Sequence, residues 1–82
     1  MSAAQLGHID TTVPVAAFRQ VAECLREAIH AGNIAGRLPA EAQLAAHYGV
    51  SGVVIRAALR LLQEAGLVTF RWNGWGRDWS VR

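Results

Sequence analysis

The chain has 82 residues, one cysteine and a formal net charge of +2, and 52% of its residues are hydrophobic. This size suits one small domain, and the apolar fraction is enough for a buried core, which excludes a disordered chain. No apolar run approaches the ~18 residues of a membrane helix, no signal peptide opens the chain, and a lone cysteine excludes an internal disulfide. The sequence therefore predicts a soluble, cytoplasmic protein with no membrane partner.

The first third of the chain predicts an arm and a helix. Residues 1–11 lack periodicity and are expected to form a flexible N-terminal arm, followed by one domain over residues 12–82. Thr12 is the candidate N-cap, Pro14 suits the first turn, and the helix is expected to run to about residue 31, where Gly32 ends it. Its apolar face repeats with the helical period and comprises Phe18, Val21, Ala22, Leu25 and Ile29.

The middle of the chain predicts two further helices. In the connector over residues 33–38, Ile34 is the candidate for a bridge of strand. Pro39 then starts a helix over residues 40–47, with Leu44 and Ala45 facing inward. The third helix is predicted over about 51–65, where Ser51 is the N-cap and Gly66 the stop. Its buried stripe comprises Ile55, Ala58, Leu59 and Leu62, and its outward face comprises Gly52, Val53, Arg56, Ala57 and Arg60.

The last part of the chain predicts a β-hairpin. Residues 67–72 and 77–81 have the character of strands, and Asn73-Gly74 between them is a strong hairpin signal. Trp79 is expected to close the core, whereas Trp72 and Trp75 lie near the turn and are expected to be exposed. The fold class is therefore mainly α with a small β-hairpin, in the order of a three-helix winged helix-turn-helix, a fold used mainly to bind duplex DNA.

One long stretch carries a family resemblance. Residues 37–68 read RLPAEAQLAAHYGVSGVVIRAALRLLQEAGLV and resemble the N-terminal DNA-binding domain of GntR-type bacterial transcription regulators. The pattern of that family is roughly L-P-S-E-R-E-L-A, then G-V-S-R-x-T-V-R-x-A-L, then L-x-x-x-G-L-V. Arg56 matches the family's recognition-helix Arg, whereas Gly52 stands where the family has Arg, and Val53 and Val54 stand where it tends to have Thr. The resemblance covers about residues 15–82.

The resemblance implies a small cytoplasmic DNA-binding regulator, expected to be a repressor that acts as a dimer on a palindromic operator. Its recognition helix would enter the major groove and its hairpin would follow the DNA backbone. The basic second half supports an anionic partner, because residues 51–82 have a net charge of +3. The family normally adds a C-terminal ligand-sensing domain, so the chain is expected to be either a stand-alone form or a fragment. The candidate DNA-binding residues are Ser51, Gly52, Val53, Arg56, Arg60, Arg71 and Arg77.

A second hypothesis is a winged-helix module for protein interaction or oligomerisation, with weak or lost DNA binding. Trp72, Trp75 and Val54 would form its surface, because exposed aromatic side chains favour protein partners. An enzyme is not expected, since no nucleophile, base and orienting group assemble from the polar residues. The three histidines and Cys24 lack metal-ligand spacing, so the sequence predicts no metal and no cofactor.

Overall fold

A computed structural model describes residues 6–12, 15–72, 74 and 76–82 of the chain. The helices are α1 (Ala17–His30), α2 (Glu41–Tyr48) and α3 (Gly52–Glu64), and the strands are β1 (Val68–Trp72) and β2 (Arg77–Val81). The two strands pair antiparallel in one hairpin. The predicted fold class, three helices followed by a β-hairpin, is confirmed. Across the described ranges no helix is long and apolar enough to cross a membrane.

The two ends of α3 follow the sequence signals. At its start, Ser51 Oγ accepts a hydrogen bond from the Val54 N–H at 3.4 Å, as a capping Ser does. At its end, Gly66 has a φ of 78°. This left-handed turn lets the Leu67 N–H reach the Leu62 carbonyl oxygen at 2.9 Å, which is the Schellman pattern. The predicted cap and stop of the third helix are both confirmed.

The start of α1 differs from the prediction. The helix begins at Ala17, and its N-cap Ala16 makes no side-chain bond. Thr12 is not the cap, because its N–H and its hydroxyl both donate to Asp10 Oδ1, at 2.9 Å and 2.5 Å. This local turn satisfies the polar groups of Thr12 outside any helix. Pro14, the predicted first-turn residue, lies outside the described residues.

One core joins all the elements, and α1 packs across α3. The α3 stripe is buried as predicted, and on α2 Leu44 is fully buried while Ala45 is partly buried. On α1, Val21, Ala22 and Leu25 are buried, whereas Phe18 and Ile29 are only partly covered and Ala28 joins the core in addition. The described buried residues are Leu6, Val21, Ala22, Leu25, Ala28, Ile34, Leu38, Leu44, Tyr48, Ile55, Ala58, Leu59, Leu62, Val68 and Trp79.

The hairpin is tied to the connector between α1 and α2. Leu38 donates its N–H to the Trp79 carbonyl oxygen at 2.8 Å, and an isolated bridge joins Arg37 to Ser80. The prediction that Ile34 forms this bridge is wrong, since Ile34 is a buried core residue instead. The bridge falls nearer the end of the connector, where the chain passes alongside β2. The connector thereby ties the β2 edge of the hairpin to the helical part of the domain.

The described part of the N-terminal segment packs on the domain, which differs from the prediction of a flexible arm over residues 1–11. Leu6 is only 5% exposed, and Ile9 packs against the core. The Tyr48 hydroxyl donates to the Leu6 carbonyl oxygen at 2.7 Å, and His47 Nε2 lies 2.7 Å from the Gly7 carbonyl oxygen. The side chains of Leu6 and Ile9 therefore hold this segment against the core, and Tyr48 and His47 hold its backbone carbonyls against α2.

Candidate nucleic-acid interface

The outward face of α3 lines a shallow groove beside the start of α1. Phe18 forms one wall and the α3 residues form the other, around a volume of about 390 Å³. Val53 projects from this face with 72% of its surface exposed. The residues that line the groove are Phe18, Val53, Arg56, Ala57, Arg60, Leu61 and Glu64. Four of the five residues predicted for the outward face of the helix therefore line this groove, and Gly52, the fifth, is not among its lining residues.

A second cleft joins α3 to the hairpin. It is lined by Arg56, Arg60, Gln63, Phe70, Arg77 and Trp79. Arg56 and Arg60 line both depressions, so they form the ridge between them. Three guanidinium groups, two from the helix and one from β2, therefore border the same cleft. An anion placed there would meet positive charge from two different elements.

Arg56 differs from its neighbours because a carboxylate holds it. Its Nε donates to Glu41 Oε1 at 3.0 Å, and the other oxygen, Oε2, accepts from Trp79 Nε1 at 2.8 Å. The Glu41 side chain is 15% exposed, against 43% for the Arg56 side chain. Sequence reasoning missed this role of Glu41. Nothing in the sequence signals this contact, because an acidic residue in the first turn of a helix is already favoured by the helix dipole. No local spacing connects Glu41 to Arg56.

Arg60 and Arg77 form no ion pair within the described part of the chain. Both side chains are exposed. Neither guanidinium group is therefore held by a carboxylate of the described residues, although Glu64 lines the same groove as Arg60. Both groups remain available to bind a phosphate.

Arg71 lies on the other face of the hairpin. In the strand register Arg71 faces Asp78, while Trp72 faces Arg77. Because side chains alternate between the two faces of a strand, Arg77 shares the face of Phe70 and Trp79, and Arg71 points away from it. Asp78 also accepts a bond from Arg37 Nε at 2.7 Å. The structure therefore brings Arg77 to the ridge on α3 but does not bring Arg71 there.

The first turn of α3 offers space more than side-chain chemistry. The Ser51 hydroxyl is occupied by the cap, and Val54 is half-buried. A Cβ built on Gly52 would meet no atom within 4 Å, apart from the helix itself. The backbone N–H groups that begin any helix lack helical partners and favour an anion. This end of α3 is accessible to a large ligand.

The tryptophans separate as predicted where they are described. Trp79 is 6% exposed and closes the core, whereas Trp72 is 65% exposed. Phe70 packs edge-on against Trp79, with ring centroids 5.0 Å apart, and is 40% exposed. Trp75 lies outside the described residues. The hairpin face next to α3 therefore carries aromatic surface beside Arg77.

No metal-binding group was found within the described ranges, where no three His, Cys, Asp or Glu side chains are placed to hold an ion. Cys24 is half-buried, and burial raises the pKa of its thiol. The raised pKa disfavours the thiolate, the form that reacts or binds metal.

These features define a winged helix-turn-helix domain, in which the outward face of α3 is exposed and a basic cleft separates that face from the hairpin. The chain matches the family model of bacterial regulatory proteins, gntR family, over residues 17–75, and it belongs to that family. It is a DNA-binding domain of the GntR transcription-regulator type, as the family resemblance implied. The alternative of a protein-interaction module with lost DNA binding is not favoured.

The comparisons include one curated relative and two solved structures. An uncharacterized HTH-type transcriptional regulator of Rhizobium meliloti (strain 1021) is 40% identical in a match of 62 residues, and the match covers 73% of this chain. The chain spans 25% of that relative's length. AraR(DBD), solved in complex with operator ORX1, is 27% identical with a TM-score of 0.75, covering 95% of this chain and 98% of that one. YtrA from Sulfolobus acidocaldarius, a GntR-family transcription factor, shares the fold at 22% identity and a TM-score of 0.76, covering 90% of this chain and 78% of that one.

Proposed function

We propose that this domain binds duplex DNA by placing α3 in the major groove while the hairpin contacts the flanking backbone. Arg56 and Arg60 would face the groove, Val53 would touch a thymine methyl, and Arg77 would bind a phosphate. Ser51 and Gly52 would bring the backbone N–H groups of the helix start close to the DNA. Arg71, on the far face of the hairpin, would contribute less than Arg77.

The observation that carries this proposal is the convergence of Arg56, Arg60 and Arg77 on one cleft. The major groove of B-DNA is about 12 Å wide and admits an α-helix, and phosphates line both of its edges. The two Arg of α3 and the Arg of the hairpin can reach the bases of the groove and the phosphates at its edge at the same time. The likeness to AraR(DBD), whose structure contains an operator, supports binding to duplex DNA.

We further propose that the regulator acts as a homodimer on a palindromic operator in the cytoplasm, and that it represses transcription. Two copies of α3 would then enter major grooves about one helical turn, or ~34 Å, apart. The exposed Trp72 and Phe70 give each copy an apolar edge beside the DNA-facing surface. Sedimentation of the protein with a selected duplex measures the stoichiometry, and two chains per palindrome are expected. One chain per duplex would exclude the dimer but leave DNA binding intact.

DNA binding is tested first with labelled duplexes, both random and from the region upstream of the native gene. Two Arg–phosphate contacts, from Arg60 and Arg77, predict a slope of about −1.8 in a plot of log K against log salt concentration, and a third contact would make it about −2.7. Raising the salt from 50 to 200 mM would then weaken binding about 12-fold for two contacts and about 40-fold for three. A flat salt dependence, or no binding at 50 mM, would refute the proposal.

The hairpin offers a matched pair of variants for the docking face. Arg77→Ala should weaken binding at every sequence and reduce the salt slope by about 1, because one phosphate contact is lost. Arg71→Ala removes the same charge from the other face and should change the slope less. Arg26→Ala, on α1 and paired with Glu23, is the distant control. Equal effects of Arg71→Ala and Arg77→Ala would mean that the charge of the hairpin matters and its face does not.

A further inference from the structure

We propose that Glu41 is a positioning residue that makes Arg56 a reader of guanine instead of a phosphate contact. This inference rests on the proposed DNA binding and assigns the origin of its sequence specificity. It separates the three arginines of the cleft by chemical role: Arg56 for a base, and Arg60 and Arg77 for the backbone.

The carboxylate of Glu41 is held from two sides. One oxygen accepts from Trp79 Nε1 at 2.8 Å, and the other accepts from Arg56 Nε at 3.0 Å. Trp79 is a core residue of β2 with 6% exposure, so the carboxylate is anchored to the hairpin and cannot follow Arg56 freely. Glu41 itself begins α2. Three elements therefore fix the direction of one guanidinium group.

The remaining donors of Arg56 suit a base. A guanidinium group has five N–H donors in a rigid plane. Glu41 accepts from the Nε–H, which leaves the N–H donors of the two Nη groups for a ligand. The Arg56 side chain is 43% exposed and lines the groove together with Val53. Two parallel N–H donors match O6 and N7 of guanine, the commonest specific contact in the major groove. A bond that fixes the plane in advance also reduces the entropy that binding costs.

The charge of Glu41 acts in the same direction. A carboxylate 3.0 Å from the guanidinium group offsets its positive charge and would repel a phosphate brought to the same place. Guanine is neutral and presents the acceptors O6 and N7 on its major-groove edge, so its binding loses less from this neutralisation. Arg60 and Arg77 form no ion pair within the described ranges and are better suited to phosphate.

Glu41→Gln tests the assignment, because it removes the charge and keeps the size of the side chain and a carbonyl acceptor. The probes are a duplex selected by the wild-type protein from a random pool, and a scrambled duplex of the same composition. We expect the variant to bind the scrambled duplex more tightly and with a slope steeper by up to about 0.9, because Arg56 becomes a phosphate contact. The ratio of selected to scrambled affinity should fall about 5- to 150-fold, the discrimination of one Arg–guanine pair.

Two further variants separate positioning from charge and from folding. Glu27→Gln removes the same charge from the exposed side of α1 and should leave the ratio unchanged. Trp79→Phe removes the indole N–H that anchors the carboxylate, together with part of the ring volume in the core, and keeps the charge of Glu41. It should therefore lower the ratio without steepening the salt slope. Thermal melting followed by circular dichroism identifies the folded fraction of each variant, and affinities are corrected for it.

A base substitution in the probe locates the contact. Replacing each guanine of the selected duplex in turn by 7-deazaguanine removes its N7 acceptor. One position should weaken wild-type binding while leaving the Glu41→Gln variant unaffected. If wild type prefers the selected duplex but Glu41→Gln keeps the same ratio and slope, the positioning role is overturned and DNA binding stands. If wild type selects no duplex and binds none at 50 mM salt, the proposed function fails and this inference fails with it.

Discussion

Gly52→Arg should increase the DNA affinity of this domain. Gly52 is the first residue of α3, and its backbone does not lie in the left-handed region that requires glycine. A Cβ at this position would meet no atom within 4 Å outside the helix, so a long side chain can leave the helix without displacing a neighbour. The family pattern has Arg at this position. Restoring it adds a charge at the end of α3 that is proposed to approach the DNA.

The expected gain follows from the type of contact that the new Arg makes. A bidentate contact to guanine contributes about 1–3 kcal/mol, which is about a 5- to 150-fold rise in affinity for a duplex that carries the base. A phosphate contact instead raises affinity for all sequences and steepens the salt slope by about 0.9. The two outcomes are therefore distinguishable by comparing duplexes and salt concentrations.

Gly52→Ala is the matched control, because it makes the same change of backbone freedom without a charge. Replacing Gly at a compatible site stabilises a protein by about 0.4–1 kcal/mol. At about 4–8 °C per kcal/mol for a domain of this size, the melting temperature should rise by roughly 2–8 °C. DNA affinity should not change, because the fold is already populated at room temperature. Fluorescence anisotropy of labelled duplexes at 50 and 200 mM salt measures both variants.

The proposed approach of the α3 start to DNA is refuted if Gly52→Arg binds every duplex no more tightly than Gly52→Ala does, with the same salt slope. That result would mean that the start of α3 does not approach the DNA, whatever the role of Arg56 and Arg60. The whole docking orientation would then need revision, since the first turn and these two residues lie on one helix.

Two further predictions concern stability. Leu59→Ala should destabilise the domain by about 2–5 kcal/mol, because Leu59 is fully buried on α3. Urea denaturation measures the lost free energy of unfolding, and a loss below about 1 kcal/mol would contradict the assigned core. Tyr48→Phe should cost about 0.5–1.5 kcal/mol at neutral pH through the lost bond to Leu6. Burial also raises the pKa of Tyr48, so the folded state favours the neutral hydroxyl. In the unfolded chain the tyrosine ionises at about pH 10, and the free energy of unfolding should therefore decline as the pH rises above that value. This alkaline decline should be smaller in Tyr48→Phe, and equal declines in the two proteins would contradict it.

The secondary structure and the core of this protein are largely determined by local sequence. The Ser51 cap, the Gly66 stop and the stripe of Ile55 and Leu59 act over a few residues, and the pattern places them correctly. At the start of α1 a competing local group decided the outcome, because Asp10 engages Thr12, which therefore does not cap the helix. The burial of Ile34 and Leu6 was decided by packing between distant parts of the chain.

The composition of the binding surface was decided by tertiary structure. Glu41 and Arg56 are separated by 15 positions, and Trp79 lies a further 23 along, so no periodicity connects them. The strand register places Arg77 beside α3 and Arg71 away from it, although their residue type and exposure are the same. Local sequence specifies helices, caps and apolar faces because these depend on short-range backbone geometry. The pairing of distant charges depends on how the elements pack, and only the folded chain brings those side chains within hydrogen-bonding distance.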